Sequence, residues 1–341
     1  MPKSKRHLFE TLFQQLKVEN PFALMDIGVM GGIASQWQPL KSFIKVIAFE
    51  PDEREFTLLQ QQKNVQYLNW VVHERSEPVA FHLTKGHGKS SILKPNQDLV
   101  SQFCDSERFQ VEEVIDIPQA RVKSLDQLIE EGYIRQIDFI KLDAQGSEYG
   151  ILNGGRKHVL PNLIGAQVEV EFEPVYENQP LFNEVDQLMR NHGFQLMDIR
   201  RSYWKRKDFQ NFAGKGQLIF GDALYFKRFN HFDAEGQSSN GRTPSKREQL
   251  IKQLIVALVY QMFDYAVGLL KTGASHGLLN GEESCLYLKE LSQVSHKGLG
   301  TYTSFFGRLH RASQTVLNKL KPQSYLGWAD SDREIGNIRD K

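Results

Sequence analysis

The chain has little cysteine, little net charge and few long apolar runs, and each shortage removes a class of protein. Two cysteines, Cys104 and Cys285, are too few and too isolated for a disulfide framework or a cysteine-rich zinc site, so a reducing cytoplasm is the expected setting. The most apolar stretch, Leu254 to Phe263, is bounded by Lys252 and Asp264 and is too short to span a bilayer. It reads as a core helix, and no transmembrane segment is expected. The first 22 residues begin basic but lack the continuous apolar core and small-residue cleavage site of a signal peptide. Leu8, Leu12, Phe13 and Leu16 instead mark one stripe of a short amphipathic helix within residues 1–20. A formal net charge of +1 provides no global field toward nucleic acid or anionic membrane. Internal repeats are absent too. A length of 341 residues allows one large domain and a smaller one.

What is present is an alternation. "FALMDIG", "KVIAFEP", "VQYLNWVV", "IDFIKLD" and "LIGAQVEVEFEP" are mostly continuous apolar runs, as parallel strands covered on both faces require. Between them the pattern predicts helices over Ile33 to Phe43, Asp52 to Gln62 and Ser147 to Leu160, and within "QPLFNEVDQLMRNHGF", where Phe182, Val185, Leu188 and Met189 recur at helical spacing. The implied architecture is α/β with right-handed crossovers. "FQLMDIRRSYW" and "GQLIFGDALYFK" follow with no helix between them and predict an antiparallel pair at the sheet edge. Hairpin-like segments between Glu77 and Val122 ("PVAFHLTKG", "VEEVIDIPQARV") interrupt the alternation near the edge or mouth. The main domain is therefore placed at 21–228. A polar linker follows over 229–247, then a helical appendage over 248–322 that includes "FFGRLHRASQTVLNKL", and a flexible tail over 323–341.

In an open α/β sheet, ligands bind beyond the carboxyl ends of the strands, where "MDIGVMGG" lies. Its glycines do not follow the G-x-G-x-x-G spacing that seats a pyrophosphate on a helix end. The spacing is D-x-G-x-x-x-G, formed by Asp26, Gly28 and Gly32, and the carboxylate beside the loop suits a cation or an ammonium better than a diphosphate. Gly28 and Gly32 permit close approach of a ligand to the main chain, and the following helix start would turn its amides toward that ligand. Glu50, ending the second strand in "VIAFEP", is placed to accept hydrogen bonds from both hydroxyls of a ribose. Asn69, near the end of the third strand, is a candidate on the adenine side.

"MDIGVMGG", "VIAFEPDEREFTLL", "IDFIKLDAQGSEYGILNGG" and "VEVEFEPVY", in this order and spacing, resemble the FkbM family of S-adenosylmethionine-dependent methyltransferases. The likeness spans roughly Pro21 to Lys227. It implies a class I, Rossmann-like methyltransferase fold with an antiparallel last strand, and S-adenosyl-L-methionine held by Asp26, Gly28, Gly32 and Glu50. It also implies O-methylation of a sugar or natural product, and it places Ser91 near the cleft. The family's D-V-E-G-A-E reads here Asp143, Ala144, Gln145, Gly146, Ser147, Glu148, so the middle acid is an amide.

Methyl transfer to a hydroxyl needs alignment and gains from a proton acceptor. Asp143, at the mouth of the central strand, is placed to orient or deprotonate an acceptor; the structural alternative is a helix cap or an ion pair with Lys141 or Arg156. Glu169, Glu171 and Glu173 share one face of the fifth strand. Glu171 is a second catalytic candidate, and Glu148 and Glu173 join Ser91 as substrate-side candidates. These acids leave a divalent metal open, although no spacing demands one. "GHGKSS" (86–91) lacks the first glycine of a phosphate-binding loop and reads as a lid. His73, His82 and His87 fall in the same insert, where a base can sit, and are otherwise surface or hydrogen-bonded bystanders. "RRSYWKRK" (200–207) has the basic and aromatic content of a nucleic-acid surface, of a grip for an anionic substrate, or of a solvated hairpin tip. The near-neutral chain disfavours nucleic acid. The expectation is a cytoplasmic methyltransferase acting on a small-molecule or glycan hydroxyl, with the C-terminal helices serving a homo-oligomer, a protein partner or substrate selection. The alternative is a non-catalytic S-adenosylmethionine-binding or assembly protein.

Overall fold

The computed structural model describes residues 3–16, 21–209, 216–229, 245–294, 313, 329–332 and 335. After helix α1 (Lys3–Gln14), the apolar runs become β1 (Phe22–Ile27), β2 (Ile44–Phe49), β3 (Val65–Leu68) and the short β4 (Val71–Val72), with α2 (Glu53–Phe56) between β2 and β3. The insert holds β5 (Val79–Thr84), α3 (Gln97–Val100), β6 (Val111–Ile117) and β7 (Val122–Lys123). Then come α4 (Leu125–Glu130), β8 (Phe139–Leu142), α5 (Glu148–Asn153), β9 (Gly165–Glu171), α6 (Phe182–Asn191), β10 (Phe194–Trp204) and β11 (Gln217–Lys227). The C-terminal part supplies α7 (Lys246–Val259), α8 (Phe263–Ser275), α9 (Gly281–Val294) and β12 (Ala329–Ser331).

The main sheet runs β12-β10-β11-β9-β8-β1-β2-β3. β3, β2, β1, β8 and β9 pair in parallel, and β11 is antiparallel to both β9 and β10. A mostly parallel sheet closed by an antiparallel strand beside its edge is the class I methyltransferase arrangement, and the predicted β10–β11 pair forms over the expected residues. Side chains alternate between two faces. Met25, Ile27, Ile140 and Leu142 join α4, α5 and α6, whereas Phe22, Leu24, Val46 and Phe139 join α1, α7 and the loop after β1.

Several local expectations are corrected. No α-helix covers 33–43; the segment is turns and a single 3-10 turn at Gln38–Leu40 containing Pro39, which has no backbone N–H to continue an α-helix. α2 spans one turn rather than Asp52 to Gln62, and α5 ends at Asn153 rather than Leu160. "VQYLNWVV" divides into β3, in the main sheet, and β4, which pairs with β7 elsewhere. The predicted hairpin of the insert is β5 paired antiparallel with β6.

The C-terminal helical region is present, and it packs more intimately than an appendage. Every residue from Gln249 to Val259 of α7 is buried, because the helix is apolar around most of its circumference and lies between the sheet and α1 and α8. Lys252 lies inside this packing, its Nζ 2.8 Å from Asp138 Oδ1 and 3.0 Å from Glu248 Oε1. Asp138 Oδ2 also accepts the Ala23 amide at 2.8 Å, joining α7 to the start of β1. Tyr260, just past α7, donates to Gln167 Oε1 at 3.0 Å and stands edge-on to Trp37. Trp37 itself is fully buried against Phe22 and Phe139. α7 therefore supplies the cover that the irregular 33–43 segment does not. Helical structure begins at Lys246, inside the expected linker, whose residues 230–244 lie outside the described residues, as does the helix expected over 305–320 apart from residue 313. The expected flexible tail instead contributes β12, which pairs antiparallel with β10, and Asp332, which pairs with Arg201 at 2.9 Å.

Candidate functional site

The carboxyl ends of the parallel strands are joined by backbone hydrogen bonds. The Gly28 amide donates to Phe49 O, the Glu50 amide to Leu68 O and the Asp143 amide to Ile27 O. This fixes Gly28, Glu50 and Asp143 around one cleft, also lined by Ile27, Met30, Val71, Val72, Phe81, Ile92, Glu55, His87, Ser90, Gln145 and Ser147. Gly28 has φ +78°, and any β-carbon there would collide with the Asp143 carbonyl oxygen. Its missing side chain thus makes room for the neighbouring strand end rather than directly for a ligand.

The other cofactor-side candidates lie off the cleft. Asp26 is buried on the opposite face of β1, where its Oδ2 accepts the Ala34 amide at 3.4 Å and its Oδ1 lies 3.7 Å from Lys141 Nζ. Burial raises its pKa, with Lys141 opposing. Gly32 has positive φ and open space beside it, but is not part of the lining. Asn69 uses its side-chain amide to donate to Glu50 O and Pro51 O and its oxygen to accept from Arg121, so it braces the end of β2.

Glu50 is nearly enclosed, and one oxygen accepts the Asp52 amide at 3.0 Å. Burial pushes its carboxyl up to about 7. Asp143 behaves oppositely: burial raises it, but Lys141, then Lys89 and the Gln145 amide, outweigh that and hold it down to about 2. Lys141 Nζ lies 3.4 Å from Asp143 Oδ2 and 3.2 Å from Gly28 O, so the structural ion pair considered for Asp143 forms with Lys141 and not Arg156.

Gln145 connects the cleft to the acids of β9. Its Nε2 donates to Asp143 Oδ1 at 2.8 Å and to Glu169 Oε2 at 2.7 Å, while its Oε1 accepts from Lys89 Nζ and Tyr176 Oη. Lys89, delivered by the 3-10 turn His87–Lys89 after β5, also stacks over Phe109 and Phe220. Glu169 and Glu171 are sealed behind this network, and burial raises both well above the carboxylate range. Glu171 therefore does not reach the cleft. Glu148 is buried too, accepting the Ala144 amide at 2.7 Å, and burial pushes it up to about 7. Ser91 donates to Gln145 O, and Glu173 accepts from Gln217; neither lines the cleft.

The lid expected at 86–91 does cover the site: His87, Gly88 and Ser90 line the cleft, and Gly88 abuts Met30. His87 Nδ1 lies 2.6 Å from Glu55 Oε1. Glu55, Gln145 and Ser147 are lining residues that sequence reasoning did not select as site residues, and of the three histidines considered in the insert only His87 lines the cleft. Glu55 lies five residues after Glu50 on a one-turn helix, and only the tertiary position of the lid brings His87 to it. In "RRSYWKRK", Arg200 pairs with Asp222, Arg201 with Asp332, and Arg206 donates to Gln102 and Gln217, while Trp204 is buried. Arg200 and Arg201 are thereby paired with carboxylates, while Arg201, Arg206 and Lys207 stay exposed. Among the described residues no group of three His, Cys, Asp or Glu side chains is arranged to hold a metal ion, and no helix is long and apolar enough to cross a membrane.

No curated protein matches the chain in sequence. Among solved structures, precorrin-6y C5,15-methyltransferase from Geobacter metallireducens GS-15 aligns over 65% of this chain and 87% of that one, with 10% identity and a TM-score of 0.32. The N-terminal domain of EvdMO1, solved in the presence of SAH and D-fucose, aligns over 67% and 84% with 6% identity and a TM-score of 0.32. A TehB-like SAM-dependent methyltransferase from Corynebacterium glutamicum aligns over 66% and 88% with 9% identity and a TM-score of 0.29. Residues 37–196 match the family model described as the methyltransferase FkbM domain. Residues 37–196 thus carry a methyltransferase FkbM domain, the S-adenosylmethionine-dependent family that the sequence motifs resemble.

Proposed function

We propose that this methyltransferase transfers the methyl group of S-adenosylmethionine to a hydroxyl of a saccharide or related metabolite in the cytoplasm. One observation carries the reading: Gly28, Glu50 and Asp143, from three adjacent parallel strands, border a single cleft whose remaining wall is largely apolar. The residues suit the cofactor's parts. The outer oxygen of Glu50 is available to ribose hydroxyls, Val71, Val72 and Ile27 offer apolar surface to adenine, and Asp143 offers a fixed negative charge to the amino-acid end or to an acceptor O–H. When bound, the cofactor supplies an electrophilic methyl group on a sulfonium.

Asp143 is ionised at every pH near neutrality and gripped by Lys141 and Gln145, so its oxygens hold one orientation. A group held in this way aligns a hydroxyl, and alignment removes several kcal/mol of barrier. Met30, His87 and Gly88 border the cleft, with Gly88 against the Met30 side chain. A helix-mediated partner contact is part of the same proposal only for α8 and α9, because α7 has no free face.

The test is incubation of the protein and methyl-labelled S-adenosylmethionine with host metabolite and glycan extract, followed by identification of the labelled product. The expected product is a methyl ether on a sugar or related polyol, formed by wild type and lost in Glu50→Ala. Label on nucleic acid or protein instead would defeat the hydroxyl assignment. Cofactor binding without transfer to any fraction would favour the non-catalytic alternative.

A further inference from the structure

We infer that His87, oriented by Glu55, is the proton acceptor for methyl transfer. The inference rests on the hydroxyl-directed reading above and adds a group that the strand motifs do not contain. Four side chains lining the cleft can accept a proton: Glu50, Glu55, Asp143 and His87. Asp143 is bound so strongly as an anion by Lys141 and Gln145 that it holds a proton poorly, which suits it to orienting rather than deprotonating. Glu50 lies at the cofactor's ribose end, and Glu55 is committed to His87. Glu148, Glu169 and Glu171 lie outside the lining, as do His73 and His82.

His87 has the geometry that Asp143 lacks for this role. Its Nδ1 is 2.6 Å from Glu55 Oε1, and its side chain is 40% exposed, which connects the ring to solvent. A carboxylate can only accept, so Nδ1 carries the ring proton and Nε2 keeps its lone pair. A carboxylate behind an imidazole fixes ring and tautomer and offsets the charge that appears when the far nitrogen is protonated. In the step, the acceptor's oxygen forms the new bond to carbon as the carbon–sulfur bond breaks, and that electron pair returns to sulfur. The hydroxyl proton passes to His87 Nε2, and the imidazolium then releases it to solvent at the lid.

Three measurements test the assignment. In wild type selectively labelled with ¹⁵N-histidine, above the pH at which the ring is charged, the His87 signal should show the proton on Nδ1, and Glu55→Gln should disturb that preference. His87→Ala should bind S-adenosylhomocysteine within about threefold of wild type by calorimetry, yet transfer label to the extract product about 10²- to 10⁴-fold more slowly. Glu55→Gln, a gentler change, should slow transfer by about tenfold or more with cofactor affinity kept. A proton fixed on Nε2 in wild type overturns the inference without any knowledge of the acceptor, and so does unchanged transfer in His87→Ala. Loss of S-adenosylhomocysteine binding in His87→Ala also overturns it, because His87 would then be a cofactor contact. Wild type that fails to bind S-adenosylhomocysteine overturns the hydroxyl-methylation reading itself.

Discussion

Glu50 and Asp143 are both carboxylates at strand ends, yet their surroundings drive them in opposite directions. Burial without a cation pushes Glu50 up to about 7, and Lys141 and Lys89 hold Asp143 down to about 2. If the ribose hydroxyls require an ionised Glu50, affinity for S-adenosylhomocysteine should fall about tenfold per pH unit below 7 and level off above it. Calorimetry across pH 5 to 8 would show this, and Glu50→Gln should bind weakly with little pH dependence. Gln145 gives a second expectation. Its amide donates to two carboxyl groups at once, which a glutamate side chain cannot do, so Gln145→Glu should cost about 1–3 kcal/mol in urea unfolding. The sequence exposed this departure from the family pattern but not its reason, because Glu169 and Lys89 meet Gln145 only across strands and lid. Gly28 was legible as a residue that must be glycine, though the atom demanding it, the Asp143 carbonyl oxygen, belongs to another strand.

Among the elements, the strands were the most readable, since continuous apolar runs of parallel strands and the paired runs of β10 and β11 depend on local pattern. The helix expected after β1 was misread because Ile33, Trp37 and Leu40 are buried at helical spacing within a segment that Pro39 and the preceding glycines keep irregular. They are buried in one cluster with α1, β1, β2 and α7, and Trp37 meets Tyr260 more than 200 residues away in sequence, a distance that no local signal reports. The Lys252–Asp138 pair makes this packing testable. Asp138→Ala strands a buried ammonium beside Glu248 alone and removes the partner of the Ala23 amide, so unfolding free energy should drop by about 3–5 kcal/mol. Replacing both residues together with apolar ones of similar size should recover much of that loss.

For the molecule as a whole, the buried acids set the direction of pH dependence. Glu50 and Glu148 take up protons near 7 when folded, against an ordinary value of 4.5. Between these limits the folded state binds more protons than the unfolded one, so their contribution to stability falls as pH rises from 4.5 to 7. Asp143 contributes oppositely, its stabilisation being present above 3.8 and lost as pH falls toward 2. The melting temperature of the ligand-free protein should therefore be higher near pH 5 than near pH 8, and S-adenosylhomocysteine should narrow the difference if its hydroxyls compensate the Glu50 charge. A ligand-free melting curve that is flat or rising over this range would contradict the assignment of buried, unpaired acids.

The placement of α7 also imposes an order on synthesis. A ribosome releases β1, the irregular 33–43 segment and all the remaining parallel strands before residue 246 has been made. Until α7 emerges, one apolar face of the sheet has only α1 against it, and Trp37 has no Tyr260 to meet. A segment made more than 200 residues later is thus needed to settle one of the first, and the loop beside the cofactor cleft matures only after α7 has left the ribosome.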